Sequence, residues 1–166
     1  MKYGRSISIA VAGLTAIGLA GFASSGAQAA SANGTANATI VQAIGISAAN
    51  TLEFGDILNG AANTVTVDTL GARSATDGTQ LIGGTVQAAS FNVTGDGNRA
   101  YTVTLPGPVV VTEGGGATMT VNNFTHDSGG ALAAGTDSFN VGADLIVANG
   151  QAPGAYTGTF TMTVNY

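Results

Sequence analysis

Apolar and polar positions alternate with period 2 along most of the chain, most cleanly over residues 155–166, AYTGTFTMTVNY. Tyr156, Gly158, Phe160, Met162, Val164 and Tyr166 fall in one row, and Thr157, Thr159, Thr161, Thr163 and Asn165 in the other. Successive side chains of a strand point to opposite faces, so this pattern predicts a closing strand with one face in a core and one in water. Burying each large apolar side chain contributes about 1.5–3 kcal/mol, enough to tie this segment into a sheet. The same alternation predicts a first strand over 38–46, with Ile40, Ile44 and Ile46 in a row that Gln42 interrupts. Leu52, Phe54 and Ile57 follow, around a Gly55 that signals a bulge or a close backbone approach. Further strands are predicted over 64–70 (Val65, Val67), 89–94 (Ala89, Phe91, Val93) and 100–105 (Tyr101, Val103, Leu105). A brief apolar run, 109–111, and an alternating stretch, 117–124, lead to a long strand over 138–147, with Phe139, Val141, Ala143, Leu145 and Val147 in one row.

Turn residues punctuate these runs. Gly95-Asp96-Gly97-Asn98 between two alternating runs predicts a hairpin of 89–94 with 100–105. Residues 126–135 read as a flexible loop, and 149–154 as the turn that returns the last strand to the one before it. Past the first thirty residues no stretch has helical period. Short strands with turns about every 8–12 residues predict an all-β fold, a single antiparallel sandwich of about seven to nine strands.

The first thirty residues stand apart. Lys2 and Arg5 precede an apolar, Gly- and Ala-rich run over 7–20, and Ala27-Gln28-Ala29 is a small-residue cleavage site. This is the pattern of a secretory signal peptide, 1–29, removed on export so that the chain continues from Ala30. Residues 30–37 are small and polar and read as a flexible start, and 38–166 as the folded domain. No later segment has the length of a membrane span.

Charge sharpens the picture. From Ala30 onward the chain keeps Arg73 and Arg99 against nine acids, a formal net charge of −7. Such a surface repels phosphate backbones and disfavours nucleic-acid binding. There is no cysteine, so in an oxidising compartment the apolar core alone must supply stability. Charged residues make up only 8% of the chain, which leaves strand edges with little electrostatic protection against edge-to-edge pairing. That suits a protein whose work is to associate.

Candidate chemistry is sparse. His126-Asp127-Ser128 contains three triad residue types, but a triad needs members converging from rigid elements beside an oxyanion hole, and three neighbours in one loop read as solvated loop. His126 is the one histidine, which excludes a multi-histidine metal site within the chain. Gly95–Asn98 lacks the further acids of a calcium loop. The Gly114–Gly116 run lacks the Lys-Ser/Thr of a phosphate loop. Glu53 and Asp56 read as edge solvation rather than as a glycosidase pair. Asn33, Asn37, Asn92 and Asn123 head N-x-Thr sequons. No catalytic residue, cofactor or metal site is predicted.

Five pieces in order carry a resemblance: ATIV at 38–41, LEFGDI at 52–57, FNVTGDGNRAYTVTLP at 91–106, GGGATMTVNNF at 114–124 and APGAYTGTFTMTVNY at 152–166. As a set they resemble the DUF4402 family of exported bacterial proteins. At greater distance they are similar to spore coat protein U-like domains and to chaperone–usher pilins. That resemblance implies an immunoglobulin-like sandwich assembled into surface fibres, one subunit's N-terminal extension completing the next subunit's sheet. It also implies a periplasmic chaperone, an usher and other subunits of the same fibre as partners, and export through the periplasm to the cell surface. The residues it singles out for assembly are Ile40, Ile44 and Ile46 of the first strand and Phe160, Met162, Val164 and Tyr166 of the last. Tyr166 reads either as a chaperone-recognition handle or as an aromatic cap on the core. The chain departs from the pilin pattern in lacking a cysteine pair and in having no alternating large apolar residues over 30–37. Either 38–46 is itself the donor, or the domain is complete without exchange. The expected function is therefore a non-catalytic structural subunit of a surface appendage or coat. The alternative is a self-complete binding module holding glycan or a surface protein through loops 71–80 and 126–136.

Overall fold

The computed structural model describes residues 28–166, so the expected leader, 1–29, lies almost wholly outside the described residues. Residues 28–38 carry no strand and are exposed. The compact unit is Thr39–Tyr166, and among the described residues it holds eleven strands and one 3-10 turn, Gly78–Gln80.

The fold is organised on β10, Thr136–Val147. Its predicted row, Phe139 through Val147 at every second position, is buried throughout. The first half of β10 pairs antiparallel with β6, Ala89–Thr94, setting Phe139 opposite Phe91. Those two rings stack at 5.6 Å. The second half pairs with β3, Asn63–Val67, and with β9, Thr118–His126, so that Leu145 lies opposite both Val65 and Val121. Because alternate residues share a face, these registers deliver Val65, Val67, Phe91, Val93, Val121 and the β10 row to one core. Three outer strands complete a seven-stranded sheet: β1, Gly45–Asn50, on β6; β4, Arg73–Ala75, on β3; and β8, Val109–Thr112, on β9.

Two ribbons close the other side. One pairs β7, Thr102–Thr104, with β11, Thr163–Asn165. The other pairs β2, Glu53–Ile57, with β5, Leu81–Gln87. Tyr101, Met162 and Val164 join the buried cluster around Phe139, and Leu52, Phe54, Ile57 and Leu81 pack against it. The result is the all-β antiparallel sandwich that the alternation predicts.

Several local expectations yield to longer-range pairing. The predicted hairpin of 89–94 with 100–105 does not form. Both edges of β6 are taken by β1 and β10, and the chain crosses at 95–101 to the other layer, where β7 finds β11. The connection is held by a distant loop: Gly95 N–H donates to the Gly135 carbonyl and Asn98 N–H to that of Leu132. Residues 126–135 are accordingly no loose loop, since Ala131 bridges Ala100 and Leu132 is fully buried.

The last strand is shorter than its alternation. Residues 156–162 keep the in–out pattern but ladder only at Thr157, with Thr112, before β11 begins. It pairs with β7 and not with β10. The first strand is shifted. Residues 38–44 lie outside any sheet, and pairing starts at Gly45 and runs on to Asn50, past the predicted end of the strand at Ile46. Loop 71–80 is also braced. Asn63 and Asp77 exchange side-chain-to-backbone hydrogen bonds of 3.0 Å, and the Asp77 carboxylate accepts from both the hydroxyl and the N–H of Thr79. Those Thr79 bonds hold the Asp77 carboxyl below the usual aspartate value.

Candidate functional site

The site begins with the Leu52-Glu53-Phe54-Gly55 step. Gly55 sits at φ 72°, a left-handed conformation that interrupts β2 with a bulge. The bulge turns backbone carbonyls toward Arg73 on β4. Its Nη1 donates to the carbonyls of Phe54 at 2.7 Å, Gly83 at 3.1 Å and Asp56 at 3.3 Å. A Cβ on Gly55 would run into that guanidinium nitrogen. One arginine thus ties β2 and β5 to the edge strand of the large sheet.

Between β2 and the closing segment lies an open cleft of about 690 Å³. Residues 51–59 line one side, and residues 151–152, 154–158 and Phe160 the other. Side chains of β8, β9 and β10 make the floor: Val109, Val111, Met119, Val121, Leu145 and Val147. Several of the lining apolar groups are only half-buried, among them Phe54, Val109, Val111, Met119 and Phe160. The Phe160 ring meets Phe91 edge-on at 6.1 Å and Phe124 at 5.1 Å, so it closes the core on one side and borders the cleft on the other. The far side is stiffened by Gln151, whose amide donates to the Tyr156 hydroxyl, which in turn donates to the Ala152 carbonyl. Neither side is a finished sheet. β2 has one strand partner, β5, and 158–162 has none among the described residues.

The seven residues singled out for assembly separate into distinct environments. Ile40 is 97% exposed. Ile44 and Ile46 are half-buried against the home core, Met162 and Val164 are buried in it, and Phe160 lines the cleft. Tyr166 lies at the surface near the root of residues 39–43, where its hydroxyl bonds to the Gln42 carbonyl. Sequence reading missed the β8 part of the floor, because 109–111 is three valines without alternation and only Val109 and Val111 face inward. It also missed Arg73, whose one available signal was being a rare base in an acidic chain.

The triad types of 126–128 take separate partners. His126 Nδ1 accepts from Ser128 N–H at 3.2 Å, and Asp127 binds the backbone and side-chain amides of Asn140. Ser128 Oγ meets the buried Tyr101 hydroxyl at 2.7 Å, and Tyr101 donates to Asp137 at 2.6 Å. Burial, and then the Asp137 carboxylate, push the Tyr101 phenol above the usual tyrosine value. Asp96, in the calcium-like turn, pairs with Arg99 at 3.2 Å. Among the described residues no three His, Asp or Glu side chains gather as metal ligands would, and no helix is long and apolar enough to cross a membrane.

Fold and cleft together define a class: an antiparallel β-sandwich with one apolar side left open between unfinished strands. The chain belongs to the DUF4402 family, a domain of unknown function, which it matches over residues 44–166. The match begins at Ile44, where burial also begins along the described chain. No curated protein and no solved structure matches the chain.

Proposed function

We propose that the protein is a non-catalytic, exported structural subunit of a bacterial surface appendage or coat, joined to its neighbours by β-strand addition into the cleft. The occupant in this reading is the arm of a second copy, residues 39–44. The observation that carries it is the cleft itself, an apolar trough bounded by β2, partnered on a single side, and by a closing segment that, among the described residues, ladders only at Thr157 before β11. An added strand would satisfy backbone groups on both sides while its alternate side chains covered the floor. The arm supports the choice of occupant. It lies outside any sheet and carries Ile40 at 97% exposure beside Val41 at 38%. A surface with 8% charged residues does little to oppose such pairing. Export through the periplasm to the cell surface is supported by the basic, apolar and small-residue order of the first thirty residues. A periplasmic chaperone shielding the cleft and an usher ordering the subunits belong to the same reading.

The test removes residues 30–43 and leaves β1 intact. The full chain should give a ladder of oligomers on unheated gels, and the shortened protein should lose it while keeping the thermal midpoint of the full chain. A full chain that stays monomeric at high concentration would sink the reading.

A further inference from the structure

The arm is not wholly free in the lone subunit. The Tyr166 hydroxyl donates to the Gln42 carbonyl at 2.9 Å and accepts from the Asp96 N–H at 2.5 Å. Arg99 lies over the Tyr166 ring, 5.3 Å from its centroid, and its Nε pairs with Asp96 at 3.2 Å. Gly95 supplies the clearance, since a Cβ there would run into the tyrosine hydroxyl. One phenol therefore joins the root of the arm to the turn after β6.

That position matters because of what lies on either side of Gln42. Ile40 is exposed, whereas Ile44 packs against the home core. In an extended strand Ile40, Gln42 and Ile44 share a face. While Gln42 is held, the arm offers only Ile40 from that row. Freeing Gln42 lets the chain pivot nearer to Gly45, where pairing with β6 begins, and Ile44 can then join Ile40 in a row long enough for the cleft of another copy.

We propose that the Tyr166–Gln42 contact is a release latch, closed in the lone subunit and open in the assembled one. The inference rests on the strand-addition reading, which it deepens by naming what restrains the donor. The latch is weak enough to yield. Tyr166 is 42% exposed, so water or an incoming partner reaches its hydroxyl. A single neutral hydrogen bond is worth a factor of roughly two to ten in an opening equilibrium.

The test compares the full chain with Tyr166→Phe, which keeps the ring and removes the hydroxyl. Deuterium exchange is followed in dilute protein at the amides of Gly45–Ala48, the stretch of β1 that pairs with β6, and oligomer growth is timed in concentrated protein. Loss of the latch should speed exchange there roughly two- to tenfold and quicken growth by a similar factor. Arg99→Ala, which uncovers the ring but leaves the hydroxyl, should move both in the same direction by less. Unchanged exchange in Tyr166→Phe would overturn the latch whatever the assembly behaviour. Faster exchange with unchanged or slower growth would overturn it as a gate. Faster exchange with no oligomers from either protein would retire the strand-addition reading itself, leaving Tyr166 as a clasp on its own chain.

Discussion

The two ends of the core are built from similar residues and finished differently. Around Phe139 the backbone is laddered: β10 carries β6 there, β6 carries β1 on its other edge, and β3 and β9 take up β10 further along. Around Phe160 the strands stop short. The same kind of alternation runs through 156–162, yet its ladder is reduced to one bridge and its aromatic ring borders a cleft. Alternation reports which side chains face inward. It does not report whether the backbone beside them has a partner. The closed end supplies the stability that lets the open end remain unfinished.

The largest expected effect tests that division directly. Phe139 is 2% exposed and stacked on Phe91, so Phe139→Ala should cost about 3–5 kcal/mol. Phe160 is half-buried and can lose its ring toward an open space, so Phe160→Ala should cost about 1–2 kcal/mol, below the range for a buried phenylalanine. Urea midpoints at unchanged slope give both numbers. Equal losses would mean that the two ends are equally closed and the comparison is false.

The next effect concerns the long connection across the closed end. Tyr101 is 4% exposed, and its hydroxyl bonds Ser128 and the Asp137 carboxylate, fastening the loop 126–135 to the chain that enters β7. Tyr101→Phe should cost about 1.5–3 kcal/mol, the range for a bond to a charged group. The phenol also makes this end sensitive to alkali. Its value is raised in the folded state, so above the ordinary tyrosine range the unfolded chain gives up its proton first and binds fewer protons than the folded one. Stability then falls as pH rises, and the Tyr101 contribution is complete below about pH 10. Thermal midpoints between pH 9 and 11.5 should fall more steeply for the parent than for Tyr101→Phe. Parallel curves would remove Tyr101 from the account.

The fold class was legible because most buried positions lie in period-2 rows. Phe139 to Val147, Ala89 to Val93 and the Val65–Val67 pair are where the alternation puts them. Partners were not legible. The Gly-Asp-Gly-Asn turn favours a local hairpin, but 95–99 is bonded to a loop more than thirty residues away, and nothing in the two flanking runs encodes that competition. The first strand slipped for a related reason. Ile44 does pack against the core, but Ile40 does not, because pairing on β6 begins only at Gly45. The cleft was invisible because it is a property of absent pairing. Its Val109, Val111 and Met119 are ordinary strand residues whose half-burial depends on what does not cover them. Arg73 was missed because its three partners are backbone carbonyls, which carry no residue-type signal.

The smallest expected change in stability is also the sharpest test of the open end. Ile40→Asp alters a side chain that is 97% exposed and outside every sheet, so the free energy of unfolding should move by less than about 0.5 kcal/mol. In a neighbour's cleft the same position would meet an apolar floor, where an unpaired carboxylate is strongly disfavoured. Oligomer ladders should therefore vanish while the urea midpoint stays within error of the parent. The opposite charge separates this from simple repulsion between acidic subunits: Ile40→Lys lowers the net negative charge yet should abolish ladders as completely. If the lysine variant assembles normally, residue 40 does not enter the cleft. The donor would then have to be sought elsewhere than in 39–44.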